Sequence, residues 1–173
     1  MDEPGRYARP ELERRWLLAA VPDGLVLKAH LSDRYLDGTR LRLRLVEHPD
    51  GSVVRKLGHK VRADPLDPAE VWHTSLYLDE AEAEALAALP ARWLTKDRYD
   101  WPEARCSVDV FTGELARLVL AEAQCADRAA FEAVLPPPGA VAEVTHDERF
   151  SGGQLARTSA GALAELLRGG SGT

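Results

Sequence analysis

The stretch from Thr39 to Leu45 alternates arginine and leucine with a strict period of two. Successive side chains of a β-strand point to opposite faces, so an extended chain here places Arg40, Arg42 and Arg44 on one face and three leucines on the other. A helix would spread the same arginines over about 200° of its circumference, which gives neither an apolar nor a polar stripe. The pattern therefore predicts a strand with a uniformly positive face.

That positive face constrains what lies opposite to it. Like charges along one strand face repel each other, so acidic side chains or an anionic ligand must face the arginines. The chain as a whole carries a formal net charge of −6, whereas a protein whose main partner is a nucleic acid usually has a basic binding domain. Cations clustered on a concave surface of an acidic chain instead focus a positive field on a small anion. We therefore expect a small anionic ligand, and no nucleic acid as the main partner.

Other segments with strand-like alternation lie on both sides of the arginine strand. The segment Val53–Val61 places Lys56 and Lys60 on one face, which predicts a second basic strand antiparallel to the first. The remaining predicted strands are Glu11–Leu17, Leu25–Leu36, Val71–Leu78, Trp93–Trp101, Ser107–Phe111 and Leu118–Gln124. Helices are predicted at Asp79–Leu89, Asp127–Leu135 and Thr158–Leu167. The segment Asp64–Pro68 is predicted as a loop, and Ala140–Gln154 shows no regular pattern.

Antiparallel strands with a few helices predict an α+β fold. Several strands carry charge on one face and Leu, Val or Trp on the other, so the charged face cannot be an ordinary core. A closed antiparallel β-barrel of about eight strands satisfies this pattern if its interior is a polar tunnel and the α-helices pack outside.

The remaining features concern domain organisation and location. A chain of 173 residues suits a single domain, expected at residues 1–168 with a flexible tail at 169–173. No apolar run approaches the roughly 18 residues that span a bilayer, and no secretion signal is visible, so we expect a cytoplasmic protein with no membrane partner. Cys106 and Cys125 match neither a disulfide framework nor a zinc pattern, and the five histidines show no metal-ligand spacing. The sequence does not distinguish a monomer from a homodimer.

Short motifs along nearly the whole chain occur in the order found in CYTH domains, the triphosphate tunnel metalloenzymes, so the chain resembles that family. The matching segments are Glu11–Arg15 (E-x-E-x-K), Arg40, Arg42 and Arg44 (the R-x-R strand), Lys56 and Lys60 (the lysine-bearing strand), Lys96–Tyr99 (K-x-R-Y), Ser107–Phe111 (V-D-V-F), Leu118–Gln124 (L-V-L-A-E-x-E) and Glu143–Phe150 (E-V-T-x-D-x-R-Y).

This resemblance implies a tunnel barrel that binds a small triphosphate or polyphosphate with Mg²⁺ or Mn²⁺ as cofactor, and hydrolyses inorganic, nucleoside or thiamine triphosphate. It implies a catalytic group of Glu11, Glu13 and Arg15. It implies phosphate-binding residues Arg40, Arg42, Arg44, Lys56, Lys60, Lys96, Arg98 and Arg149. It implies metal ligands Glu11, Glu13, Asp109, Glu122 and Gln124. The residue types suit this chemistry, because arginine binds phosphate oxygens in a bidentate way and carboxylates bind hard divalent cations.

Two positions depart from the family pattern. Arg15 stands where the family has lysine, so the charge is kept on a group that cannot lose its proton. Gln124 stands where the family has an acid, so one negative charge is missing. A non-catalytic sensor of polyphosphate or of an organic phosphate is therefore an alternative to a triphosphatase, and an adenylate cyclase on the same fold is another. For the charged residues themselves, the alternative to a ligand site is a purely structural network of ion pairs.

Overall fold

The structure is a computed structural model that describes residues 5–64 and 67–169, and long antiparallel strands make up most of it. The described strands are β1 (Arg9–Leu18), β2 (Val26–Leu36), β3 (Leu41–Glu47), β4 (Val53–Asp64), β5 (Asp67–Leu78), β6 (Ala91–Trp101), β7 (Cys106–Phe111), β8 (Val119–Cys125) and β9 (Ala140–Glu143). The helices are α1 (Glu80–Ala87), α2 (Arg128–Ala133), α3 (Gly152–Leu155) and α4 (Ala160–Gly169), with 3₁₀ turns at Gly113–Leu115 and Glu148–Phe150. The tail predicted at 169–173 lies, apart from Gly169, outside the described residues.

The strands close into a barrel. Their order is β5-β4-β3-β2-β6-β7-β8-β1, and β1 returns to pair with β5, so eight strands form a closed antiparallel ring. One edge of β1 pairs with β8. Its other edge is shared, because Arg9–Leu12 pair with β5 and Trp16–Leu18 pair with β9. The predicted α+β barrel of about eight strands with helices outside is confirmed.

The observed elements differ from the sequence prediction mainly in two places. Strand β4 reaches Asp64 and β5 begins at Asp67, so the segment predicted as a loop is largely strand, with residues 65 and 66 outside the described part. The stretch 140–154, predicted to lack regular structure, contains β9, a 3₁₀ turn and α3. These pieces are too short for a periodic pattern, since β9 and α3 have four residues each.

Side-chain caps define where the outer helices begin. Asp79 accepts a hydrogen bond from the backbone N–H of Glu82, whose side chain bonds back to the N–H of Asp79 in a capping box. Asp127 caps α2 by accepting a hydrogen bond from the backbone N–H of Ala130, a single contact and not a capping box. In the described residues, every helix lacks the length and apolar character needed to cross a membrane.

Four strands change from charged to apolar side chains along their inner face. Leu17, Leu94, Phe111 and Leu120 each lie two positions from a charged inward residue and pack together in one buried cluster. Val144, Phe150, Leu155 and Leu163 complete this cluster, which we call the plug. The plug fills one end of the barrel on the β1, β6, β7 and β8 side, so the charged interior begins where these apolar side chains stop.

Gly152 lies where the plug meets the barrel interior. A methyl group at this position would overlap the hydroxyl of Tyr35, whereas one at Gly153 would be 3.8 Å from the nearest Tyr35 atom. We expect Gly152→Ala to lower the free energy of unfolding by about 1–3 kcal/mol, because overpacking forces the neighbouring side chain to move. Gly153→Ala is the matched control and should be nearly neutral. Equal urea midpoints for the two variants would contradict this prediction.

Candidate functional site

A cavity of about 450 Å³ occupies the charged part of the barrel interior. Among the described residues, eight cationic side chains and four carboxylates line it. The cations are Arg15, Arg40, Arg42, Arg44, Lys60, Arg62, Lys96 and Arg98, and the carboxylates are Glu11, Glu13, Glu122 and Glu148. The excess of positive charge in a concave space favours a small polyanion as ligand.

The carboxylate side of the cavity is built by β1 and β8. In their antiparallel register Glu13 lies opposite Gln124 and Arg15 lies opposite Glu122, while Glu11 follows two positions along the same face of β1. The E-x-E and E-x-Q sequences therefore bring four oxygen-bearing side chains onto one wall, because every second residue of a strand shares a face.

Glu11 connects this wall to β4 and β5. Its Oε1 lies 2.5 Å from Nδ1 of His73, and its Oε2 lies 2.7 Å from Nζ of Lys60. Burial raises the pKa of Glu11, but the hydrogen bond with His73 and the charge of Lys60 lower it by more, to about 2. Glu11 is thus ionised at neutral pH.

Glu122 shares its cations with Asp109. Arg98 donates from Nε and Nη2 to the two oxygens of Asp109, at 2.7 Å each, and from Nη2 to Glu122 at 2.5 Å. Lys96 donates to Asp109 as well. Burial raises the pKa of Glu122, but the charges of Lys96 and Arg98 lower it by more. The two carboxylates hold these cations in place at the centre of the tunnel.

Asp33 plays a similar part on the opposite wall. This residue is 0% exposed, and its two oxygens accept hydrogen bonds from Nε and Nη2 of Arg44 at 2.6 Å each. Nε of Arg42 lies 3.8 Å from the same carboxylate. Burial raises the pKa of Asp33, but the charges of Arg44 and Arg42 bring it down to about 2.

Arg15 is buried beneath the loop that follows β9. Its Nη1 donates to the carbonyl oxygen of Phe150 at 3.0 Å, and its Nε lies 3.7 Å from Glu13. Among the described residues this Nε has no hydrogen-bond partner.

Three predicted site residues do not line the cavity. Lys56 shares a strand face with Lys60, but its Nζ lies over the Tyr77 ring, 5.1 Å from the centroid. Asp109 is on the inner face of β7 but is 0% exposed, and it acts there as a counter-charge to Lys96 and Arg98. Arg149 pairs with Asp147 in the loop after β9, and its side chain is 66% exposed. The other predicted residues all lie on the cavity wall.

The sequence prediction missed several residues that the fold brings to the site. They are Asp33, Tyr35, Arg62, His73 and Glu148. Metal-ligand spacing, which the histidines lack, gives no reason to connect His73 with Glu11. The alternation of Val71, His73 and Ser75 on β5 was the available signal, since it places His73 on the inner face.

The β1 and β8 wall carries the type of donor atoms that a divalent cation would need. Glu11, Glu13, Glu122 and Gln124 offer only oxygen atoms, which suits Mg²⁺ or Mn²⁺. Each of the three carboxylates faces a cationic side chain: Glu11 faces Lys60, Glu13 faces Arg15 and Glu122 faces Arg98. Within residues 5–64 and 67–169, no group of three or more His, Cys, Asp or Glu side chains converges in a way that could hold a metal. The chemistry of these donors fits Mg²⁺ or Mn²⁺, but the carboxylates would have to turn away from their cationic partners to bind the metal.

A second cavity of about 350 Å³ adjoins the first. Both cavities are lined by Glu13, Arg98, Glu122 and Gln124, and the second extends to the turn that joins β6 to β7. The carboxylate wall therefore borders both spaces, as the wall of a tunnel does.

The buried carboxylates predict how stability depends on pH. The pKa of Asp33 is about 2 in the folded protein and ordinarily 3.8, so its ion pair stabilises the fold above pH 3.8 and this contribution is lost as the pH falls through 2. The loss is roughly 2 kcal/mol for Asp33. Glu11 adds to it in the same pH range. Urea titrations at pH 5, 4, 3 and 2 should show the free energy of unfolding falling with pH, and a flat profile would contradict the charged buried network.

Taken together, the fold and site define a class of protein, the tunnel barrels that bind a small polyanion between a cationic and a carboxylate wall.

An inorganic triphosphatase of Nitrosomonas europaea is 30% identical to this chain over 154 residues, which cover 84% of this chain and 96% of the relative. The crystal structure of the inorganic triphosphatase NE1496 matches with a TM-score of 0.56 at 30% identity, over 84% of this chain and 93% of that one. A structure of the hypothetical protein NE1496 matches with a TM-score of 0.59 at 29% identity, over 86% of this chain and 99% of that one. No protein-family model matches the chain. The chain belongs to the CYTH, or triphosphate tunnel metalloenzyme, family.

Proposed function

We propose that this protein is a divalent-metal-dependent triphosphatase that acts on inorganic triphosphate inside the barrel. The observation that carries the proposal is the cavity itself, in which the cations of β3, β4 and β6 face the carboxylates of β1 and β8. The similarity to an inorganic triphosphatase over most of both chains supports the same reaction.

The lining of the cavity favours an inorganic over an organic substrate. Among the described lining residues, Tyr35 is the only one with a benzene or indole ring, and that ring packs against the plug. A nucleoside base or the rings of thiamine would find little aromatic surface for stacking there. Linear triphosphate instead needs several cations spread over its length, and the arginine row, formed by Arg40 just before β3 and by Arg42 and Arg44 on it, supplies them.

The roles of the residues follow from their positions. Arg40, Arg42 and Lys60 would bind phosphate oxygens of the chain, and Arg98 would lie near the phosphoryl group closest to Glu122. Glu11, Glu13, Glu122 and Gln124 would hold Mg²⁺ or Mn²⁺, which when bound supplies Lewis-acid polarisation of phosphoryl oxygens. Because Arg15 cannot lose its proton, it binds and orients rather than accepts a proton. The reaction consumes water and releases orthophosphate and pyrophosphate.

A phosphate-release assay tests this proposal. Inorganic triphosphate, ATP and thiamine triphosphate are compared with Mg²⁺, with Mn²⁺ and with a chelator, and products are separated by ion-exchange chromatography. We expect metal-dependent release from inorganic triphosphate at least about tenfold faster than from ATP, a ratio that corresponds to about 1.4 kcal/mol in the transition state. If the folded protein releases phosphate from none of the three substrates, the proposal is overturned. Formation of cyclic AMP from ATP would indicate a cyclase.

The departures at Arg15 and Gln124 favour a second candidate, a non-catalytic sensor of a phosphate compound. This candidate predicts that calorimetry detects binding of triphosphate although no product forms. Gln124→Glu restores the fourth carboxylate and should strengthen Mn²⁺ binding in either case. Turnover by the unmodified protein would exclude the sensor.

A further inference from the structure

Asp33 is a fully buried acid that lies outside all of the sequence motifs by which the chain resembles the family. It lies on β2 directly opposite Arg44 of β3, and its side chain is 1% exposed. Both of its oxygens are used by Arg44, through Nε and Nη2 at 2.6 Å each. Arg44 in turn lines the main cavity. The pair therefore connects an inaccessible carboxylate to a side chain that a ligand can reach.

The geometry of this contact leaves one part of the guanidinium unused. A guanidinium carries five N–H groups, and Asp33 takes one on Nε and one on Nη2. The Nη1 group is not used by Asp33. Arg98 is held by the same edge, because Asp109 accepts from its Nε and Nη2 at 2.7 Å each. Arg44 on β3 and Arg98 on β6 are thus each held by a buried aspartate that accepts from Nε and Nη2.

This bidentate contact with a carboxylate affects how tightly the arginine can bind a ligand. A flexible arginine side chain populates many rotamers, and it loses this conformational entropy when a ligand immobilises it. An arginine already fixed by a bidentate carboxylate has lost this freedom in the unbound protein, so ligand binding costs less. The nearby charge of Arg42, 3.8 Å from the same carboxylate, makes a neutral residue at position 33 unfavourable.

We propose that Asp33 is a positioning residue that holds Arg44 by its Nε and Nη2 edge so that Nη1 is presented to an oxygen of the triphosphate. This inference rests on the proposed function for the identity of the ligand. It predicts that Asp33 acts through Arg44 and not by direct contact with the ligand.

Asp33→Asn and Arg44→Lys, alone and together, test the proposal. Asparagine keeps the size of the side chain but offers one acceptor where aspartate offers two, and lysine keeps the charge of arginine without its bidentate fork. We expect each single variant to raise KM for inorganic triphosphate about tenfold, with kcat changed less than about threefold, because the lost interaction binds substrate and transition state alike. On the Arg44→Lys background, Asp33→Asn should change KM by less than about twofold, since coupled residues are not additive.

Asp97→Asn is the matched control, because Asp97 lies on the neighbouring strand β6 and pairs with His30 on the surface. It should leave KM unchanged. An unchanged KM in folded Asp33→Asn, or an equal effect of that change on both backgrounds, would overturn the proposal. If Asp33→Asn does not fold, an unchanged KM in Arg44→Lys overturns it equally.

Calorimetry with inorganic triphosphate separates this inference from the proposed function. If the unmodified protein binds triphosphate without turnover, the hydrolase proposal fails, and the same comparison made on Kd still tests Asp33. If the unmodified protein neither binds nor hydrolyses triphosphate, the proposed function is overturned and the role of Asp33 with it.

Discussion

Glu122→Gln is expected to lower kcat/KM for inorganic triphosphate by about 100-fold or more. Glu122 lines both cavities and is ionised beside Arg98, and it would contribute one of only three negative charges to the metal ligands. Glutamine keeps the shape and one oxygen but removes that charge. A metal that polarises a phosphoryl group contributes several kcal/mol to the transition state, and each 1.36 kcal/mol is a factor of ten.

Glu143→Gln is the control for this change. Glu143 is also an ion-paired glutamate with a lowered pKa, and its Oε2 lies 2.5 Å from Nη2 of Arg14. Neither of these two residues lines the main cavity. The control should keep kcat/KM within about threefold of the unmodified protein, as expected for a side chain that does not contact substrate. Mn²⁺ titration of both variants should show weaker binding for Glu122→Gln alone. Full activity in Glu122→Gln would remove this residue from the site.

Asp109→Asn is expected to produce the largest loss of stability. Asp109 is 0% exposed and accepts hydrogen bonds from Lys96 and Arg98, so the neutral variant removes a buried counter-charge that these two cations share and leaves Glu122 to face both of them. Breaking a buried ion pair by removing one partner typically costs about 3–5 kcal/mol. For a chain of this size the melting temperature should fall by about 10 °C.

Asp147→Asn is the corresponding exposed case. Asp147 pairs with Arg149 at 2.5 Å, but the arginine side chain is 66% exposed, so solvent screens the interaction. Thermal unfolding monitored by circular dichroism should therefore show an almost unchanged melting temperature. If the two aspartate variants melt at the same temperature, burial does not determine the strength of these pairs.

The sequence predicted the barrel because the alternation of charge and apolar residues is local information. Arg40, Arg42 and Arg44 share a face in any extended strand, whichever strands lie beside them. The same reasoning places Glu11 and Glu13 on one face of their strand, and the uniformly positive strand predicts that acidic side chains or an anionic ligand lie opposite to it. The family motifs then indicated that these strands form one tunnel.

The contacts of single side chains were not predictable in this way. Asp33 meets Arg44 only because of the β2–β3 register, and His73 meets Glu11 because β1 closes on β5. The β2–β3 register is set by the turn that joins the two strands, whereas the register of β1 with β5, which are far apart in sequence, depends on the whole set of turns and on the hydrophobic face. Asp109 is buried for the same reason, since its strand lies between β6 and β8 and the plug begins two residues later at Phe111.

The position of β1 in the ring determines when the site can assemble during folding. Residues 12–17 of β1 pair with residues 120–125 of β8, so the barrel closes across more than 100 residues of chain. Contacts so distant in sequence form slowly, because the entropy of closing a long loop is lost before they are gained. During synthesis residues 9–12 of β1 can pair with β5, but the longer pairing of residues 12–17 has to wait until β8 is made. The carboxylate wall is therefore complete only at barrel closure, and we expect intermediates before this step to have the arginine row without Glu122 and Gln124 opposite to it.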